Sequence, residues 1–285
     1  MSIPMNFSDL AKPANDILGK EFPVAGHKLD VKTVAPNNVT FSAKGAQSEK
    51  GAISGELEAK WADKANGLTL TQGWTTQNKL NSKLELEDQF AKGLKLELST
   101  AFEPASTARA GKLGLLYKRP NFHGRSFLDL TGKTGPVLTT DAVVSHDGYF
   151  AGAEASYDIQ GGDVQRYSLG VGYATPLVGV AVQANNKLSV YTASYYHRVN
   201  ANVEASGRVT WDSLAGDKVL AEVGGKYTLD RLSAVKAKVN NAAVAQFSYY
   251  QVIRPGVKLG LGLAVDTQKM GEPVHKIGSH IEFSG

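Results

Sequence analysis

The sequence has no cysteine among its 285 residues, so a disulfide framework and a thiolate metal site are both excluded. It also has no window near the roughly 18 consecutive apolar residues that a membrane-crossing helix needs. With a mean hydropathy of −0.21, a window average would place the chain in water. That placement is unsafe, because spanning strands carry apolar residues at every second position and barely register in such an average. Residues 1–22 lack a positive n-region followed by an apolar h-region, and they are not rich in Arg and Ser. Neither a secretory signal nor a matrix-type transit peptide is therefore expected.

Enzyme chemistry is missing as well. His27, His123, His146, His197, His275 and His280 are scattered without metal-ligand spacing. No G-x-S-x-G elbow occurs. Gly132-Lys133-Thr134 resembles the end of a phosphate loop, but Phe127 stands where that loop needs its first glycine. Gly260-Leu261-Gly262 sits inside a strand pattern and opens no helix. No enzyme, cofactor or metal is expected. The net charge of +4 is spread along the chain, which fits a mild preference for anions and argues against a nucleic-acid surface.

What is present is alternation. Val257, Leu259, Leu261, Leu263 and Val265 share one parity, and Lys258, Gly260, Gly262, Ala264 and Asp266 share the other. Strand side chains alternate between faces, so this stretch has one apolar face and one small or charged face. Arg254-Pro255-Gly256 opens it with turn chemistry. The same beat starts at Lys28. Leu29, Val31 and Thr33 oppose Lys28, Asp30 and Lys32, and Ile53, Leu57 and Trp61 oppose Ser54, Glu56, Glu58 and Lys60. Leu94, Leu96, Leu98 and Phe102 oppose Lys95, Glu97 and Ser99. Leu113, Leu115 and Tyr117 oppose Lys112 and Lys118, with Leu116 as an interruption on the polar face. Turns rich in Gly, Asn, Asp and Pro separate the pieces. About nineteen strand-length pieces fit between Lys28 and the end. A soluble sandwich would have to bury the Lys and Glu of strand after strand, which no core accepts without partners; a water-filled lumen accepts them. The expectation is an all-β transmembrane barrel.

The first twenty-odd residues differ. Asp9, Lys12, Asp16 and Lys20 are spaced for one face of a helix, and Leu10, Ala14 and Ile17 for another. Ser8 is a candidate N-cap, and Pro13 predicts a kink or break. Read locally, the pattern fits a surface helix on a soluble core equally well. The division expected is residues 1–26 as N-terminal helix and linker, and residues 27–285 as barrel.

Several segments, in order along the chain, resemble the eukaryotic mitochondrial porins, the voltage-dependent anion channels, with a texture closer to the fungal members. They are Phe7-Ser8-Asp9-Leu10-Ala11-Lys12, Leu68 to Trp74, Gly93-Leu94-Lys95, Tyr227 with Asp230, Ser233, Lys238, Val239, Asn240 and Asn241, and Lys276, Gly278, Ile281 and Phe283. The resemblance implies the nineteen-stranded barrel already known for that family, so the strand count above is agreement with it and not an independent result.

The resemblance further implies a helix inside the pore and a voltage-gated, weakly anion-selective diffusion pore of the mitochondrial outer membrane that passes ATP, ADP and small ions. Asp9, Leu10, Lys12, Asp16 and Lys20 are then the gating helix. Lys32, Lys95, Lys112, Lys118 and Arg125 line the lumen, partly countered by Asp30, Glu85, Glu97 and Asp129; read singly, each lysine is equally a solvated face charge. Gly93, Leu94 and Lys95, with Lys12 and Lys20, meet passing nucleotides, and Lys276, Gly278, Ile281 and Phe283 form the insertion signal. Membrane lipid, self-association and cytosolic partners such as hexokinase are implied, and no nucleic acid. Gln72 replaces a glutamate common in animal members. The linker 21–26 lacks their glycine-rich hinge, which argues against large helix motions. A soluble ligand-holding barrel and an import-receptor barrel are the alternatives; the first predicts an apolar interior, and the second calls for long soluble insertions.

Overall fold

The computed structural model describes residues 3–104, 108–131, 135–216, 218–272 and 274–285; Lys133 and its two neighbours in the Gly-Lys-Thr triplet fall outside them. Alternation with turn punctuation yields strands throughout. They are β1 (Gly26–Val34), β2 (Val39–Gln47), β3 (Ile53–Asp63), β4 (Leu68–Thr75), β5 (Leu80–Glu87), β6 (Leu94–Glu103) and β7 (Ala108–Arg119). Next come β8 (Phe122–Asp129), β9 (Val137–His146), β10 (Tyr149–Asp158), β11 (Val164–Ala174), β12 (Val178–Asn185) and β13 (Val190–Arg198). The series ends with β14 (Val203–Asp212), β15 (Lys218–Thr228), β16 (Ser233–Asn240), β17 (Val244–Arg254), β18 (Val257–Asp266) and β19 (Lys276–Ser284).

Each strand pairs antiparallel with the next, and the 19-stranded sheet closes by β1 pairing β19 in parallel, from Gly26 opposite Gly278 to Lys32 opposite Ser284. An odd number of alternating strands leaves no other sense for the last pair. Tight hairpins take their left-handed residues from Asn and Asp, as at Asn38, Asn78, Asn121 and Asp147. Strands spaced about 4.8 Å apart and tilted near 40° give a backbone diameter of roughly 38 Å.

Register fixes the two faces. Trp61, Leu70, Leu84, Leu98, Leu113, Leu128 and Leu138 lie opposite one another along one row of the sheet. The adjacent row is Lys60, Thr71, Lys83, Ser99, Lys112 and Asp129. The first row lies on the outside of the barrel, with Trp61, Leu70, Leu98, Leu113 and Leu138 exposed and Leu84 and Leu128 half-buried, and the second faces in. Aromatic residues gather near both rims of the outer face, with Trp74, Tyr157, Tyr191 and Trp211 at one and Trp61, Tyr149, Tyr195 and Tyr227 at the other. Such belts mark the two water interfaces of a bilayer.

The N-terminal segment is broken, as Pro13 predicts, but the break lies ahead of it. A 3₁₀ turn at Phe7–Asp9 is followed by α1 (Lys12–Leu18), with Pro13 in its first turn. There the missing N–H costs nothing and the fixed φ suits the helix. Ser8 is not the N-cap. Asn6 caps the 3₁₀ turn, accepting from the Asp9 amide at 3.0 Å, while the Ser8 hydroxyl donates to the Asn6 side chain at 2.7 Å; α1 itself starts behind Ala11 with no side-chain cap. The described residues form one buried apolar cluster, made by this segment against the wall: Phe7, Leu10 and Ala11 on Val143, Phe150 and Ala181.

Candidate functional site

The lumen and the segment lying in it form the candidate site. The apolar side of the segment packs on the inner faces of β9–β12, and α1 continues across β13–β15. Gly170 makes room for it: a β-carbon there would lie 2.8 Å from Leu10 Cδ1 and 3.2 Å from Phe7. Leu10 therefore anchors the segment to the wall, while Asp9, Lys12, Asp16 and Lys20 stay at least partly exposed. Asp16 accepts from Lys12 at 3.2 Å and from Lys20 at 2.7 Å. Burial opposes ionisation of Asp16, but those two lysines outweigh it and hold its carboxyl below the ordinary value.

Polar anchors surround the apolar ones. Arg208 donates to Asn15 Oδ1 at 2.8 Å and pairs with Glu222. Lys238 reaches the Leu18 carbonyl at 2.5 Å, and Lys236 the carbonyls of Asp16 and Lys20 at 3.0 and 3.3 Å. These two lysines cap the last turn of α1, where free carbonyls and the negative end of the helix favour cations. Glu21 then bridges Lys236 at 3.0 Å and Lys258 at 2.5 Å. Burial works against its charge, yet hydrogen bonds from Lys258 and Lys236 pull its carboxyl from 4.5 to about 2. Its backbone is left-handed, φ 63°, a conformation that costs a non-glycine residue about 1 kcal/mol. The chain then returns to the wall through a notch. A β-carbon on Gly262 or Gly278, which face each other across β18 and β19, would collide with the Pro23 carbonyl, and one on Gly278 would also lie 2.6 Å from the Gly26 carbonyl. The glycines that a linker could use for freedom sit instead in the wall that receives it.

The lumen-lining set expected from sequence divides on inspection. Lys32, Lys95, Lys112, Lys118 and Arg125 all share the inward parity. Lys95 is committed to Glu85 at 3.0 Å and Glu97 at 3.2 Å, both shared with Lys83. Arg125 donates to Asp141 Oδ2 from Nε at 2.9 Å and from Nη2 at 2.8 Å, with Oδ1 also 3.1 Å from Nε, so its charge is neutralised in place. Lys112 lies over the Phe127 ring at 4.6 Å. Lys32 and Lys118 have no acidic partner among the described residues. Of the countering acids, Asp30 meets His280 at 2.8 Å. Leu116, the interruption on the polar face, points inward and is nearly covered, in register with Lys95 and Arg125.

Gly93, Leu94 and Lys95 do not form one surface. Gly93 turns with φ 82° against the Lys118 carbonyl, Leu94 shares the outward register of Tyr117, and only Lys95 faces the lumen. Of the terminal pattern, Ile281 and Phe283 face outward and Lys276 and Gly278 inward. The residues that fix the segment, Glu21, Arg208, Glu222, Lys236, Lys238 and Lys258, are absent from the sequence-based set. The Lys236-x-Lys238 alternation marks both as inward charges, but nothing local in the sequence ties them to residues 220 positions away.

Among known proteins, the family model described as eukaryotic porin matches residues 3–278. The chain is 46% identical over 284 residues to the mitochondrial outer membrane protein porin of Neurospora crassa, with 99% of each chain covered. It is 46% identical over 282 residues to that of Candida albicans, again covering 99% of both. To the non-selective voltage-gated ion channel 1 of Saccharomyces cerevisiae it is 36% identical over 289 residues, with 99% of each covered. Among solved structures, an engineered Rh. blastica porin superposes with a TM-score of 0.51 at 9% identity, covering 81% of this chain and 90% of that one; that likeness concerns the fold alone.

Proposed function

The chain belongs to the eukaryotic porin family, and from that membership and the lumen described above we propose how its pore selects and gates. The protein is a diffusion pore of the mitochondrial outer membrane, voltage-gated and not an enzyme, held in lipid by its outer face. The observation that carries this reading is the pair of adjacent register rows, apolar outside and charged inside, around a closed wall. A ligand-holding soluble barrel requires the reverse.

Permeation is passive, with selectivity set by lumen charge and no fitted site. Backbone walls roughly 38 Å apart leave about 25 Å after side chains on both sides, enough for hydrated ATP or ADP. Most inward arginines and many lysines are matched by acids within 4 Å, so the net preference for anions is weak. It strengthens for polyvalent metabolites and fades as salt shortens the screening length. Lys12 and Lys20 on the segment, Lys32, Lys112 and Lys118 on the wall, and Lys95 within its acid cluster are the groups that a nucleotide meets. Residues 1–26 act as the gating unit and residues 27–285 as the wall. Lys276, Gly278, Ile281 and Phe283 serve as the insertion signal, and self-association and a cytosolic partner such as hexokinase complete the proposal. Planar-bilayer recordings across a salt gradient test pore, sign and gating together. A reversal potential of cationic sign, or conductance that ignores voltage, would overturn the selectivity or gating reading respectively.

A further inference from the structure

One arc of one rim departs from the rest of the barrel. The hairpins joining odd strands to the following even strands lie on a single rim. From β1 to β10 their tips are polar: Asn37 and Asn38, Lys64 and Asn66, Asp88 and Gln89, Asn121, and Asp147. Val34 at the end of β1 and Phe90 in the β5–β6 loop are apolar side chains exposed there, and Gln89 and Lys92 flank Phe90. From β11 to β18 exposed aliphatic side chains recur beside polar ones such as Asn200, Asn202 and Asp230. Leu177, Val199, Leu229 and Leu232 occupy successive hairpins, Ile253 sits at the end of β17, and each is at least 50% exposed. Backbone bonds join neighbours in this arc, from Arg198 N to the Leu177 carbonyl, Thr228 N to Asn202 and Val252 N to Leu232.

These aliphatic residues lie beyond the aromatic belt. Val199 is four residues past Tyr195, Leu229 two past Tyr227, and Ile253 four past Tyr249, each tyrosine having outward register. A belt normally marks the water boundary, so apolar residues beyond it need cover. The arc also carries Arg231 and Arg254, both exposed and without an acidic partner among the described residues. Asp230, the acid in the same hairpin, turns into its own loop and accepts from the Leu232 amide at 2.7 Å. Aliphatic tips continuous with a lipid-facing wall, set beside unpaired guanidinium groups, match acyl chains with phosphate above them.

We propose that the β11–β18 arc of this rim is a binding surface for anionic phospholipid: its hairpin tips lie below the headgroup plane, and Arg231 and Arg254 hold headgroup phosphates. The barrel is therefore seated deeper on this side than along β1–β10, and it gathers acidic lipid at one sector of its circumference.

The cysteine-free chain makes the test direct. Single cysteines at Leu229, Ile253, Asn38 and Asp147 are labelled with an environment-sensitive fluorophore, and the protein is reconstituted in phosphatidylcholine vesicles with an equal small fraction of spin-labelled phosphatidylserine or spin-labelled phosphatidylcholine. Labels at 229 and 253 should emit in the blue and be quenched more by phosphatidylserine than by phosphatidylcholine, while those at 38 and 147 report water and no preference. Replacing Arg231→Gln and Arg254→Gln should each lower the enrichment roughly fivefold or less, from a contribution of about one kilocalorie for a basic residue at an anionic surface. Unchanged conductance shows that the variants still form barrels. Water-exposed labels at 229 and 253, or equal quenching by the two lipids, would overturn the proposal. So would shielding that disappears on dilution of protein in lipid, which would mean that a protein surface is the occupant.

Discussion

Removing the charge of Glu21 should loosen the whole N-terminal segment. In Glu21→Gln, Lys258 loses its carboxylate partner, and Lys236, whose side chain is 5% exposed, keeps only backbone carbonyls. Stranding a buried charge costs about 3–5 kcal/mol, but Glu21 is itself about one-third exposed, and solvent screening discounts that. A loss of about 1–2 kcal/mol remains, which raises the detached population roughly 5- to 30-fold. Hydrogen exchange in bilayer nanodiscs reads this at the Gly19 amide, which donates to the Asn15 carbonyl at 2.7 Å. That amide should exchange faster by the same factor, with the β5–β7 amides unchanged. The sign with pH follows from the depressed carboxyl. The latch is complete above about 4.5, the ordinary value, and is lost as pH falls toward about 2. Wild type should therefore approach the variant under acid, and the variant should lack that component. Glu21→Gly separates the terms, since it loses the ion pairs but also relieves the left-handed strain of about 1 kcal/mol, and should loosen the segment less. Identical exchange at Gly19 in wild type and Glu21→Gln, at pH 7, would refute the latch.

Lys12→Glu with Lys20→Glu turns the Lys12–Asp16–Lys20 trio from +1 to −3; the reversal potential should move toward cations at 0.1 M salt. The shift should shrink at 1 M, where the screening length falls to about 3 Å. Gly278→Val should block seating of residues 23–26 in the notch; overpacking of this kind costs about 1–3 kcal/mol or more, and folding yield in detergent micelles reports it. Asp141→Ala strands Arg125, whose side chain is 15% exposed. The unfolding midpoint in urea should drop by an amount equivalent to about 2–4 kcal/mol, and the pore should become more anion-selective by one uncovered cation.

Much of the architecture could be read from alternation alone, because a wall between lipid and water imposes the period on nearly every strand. The Val257–Asp266 unit does face as its parity requires. Its small residues had a reason invisible in the sequence, since Gly262 receives a linker from the far end of the chain. The absent hinge glycines are a similar case. Read locally they argue only against motion, whereas the fold moves the need for space into β18 and β19. Ser8 failed as a cap because the helical stretch divides: Ser8 lies inside a 3₁₀ turn capped by Asn6, and α1 begins only at Lys12, behind Ala11. Leu94 could not share a surface with Lys95 because adjacent strand residues face opposite ways. Charge type located Arg125 on the inner face, but whether it acts as a free cation depended on Asp141, a neighbour set by strand pairing.

The parallel closure carries a constraint on assembly. Without β19 the ring has eighteen members, and its open margins, β18 and β1, run in opposite directions and can zip together in the ordinary hairpin sense. The truncated cylinder would be narrower by one strand and would lack Gly278, half of the gap through which residues 23–26 pass. The nine residues of β19 thus decide between two closable rings. Only the larger one leaves a doorway for the strand-one leader, so correct circumference and correct placement of the inner segment are a single event.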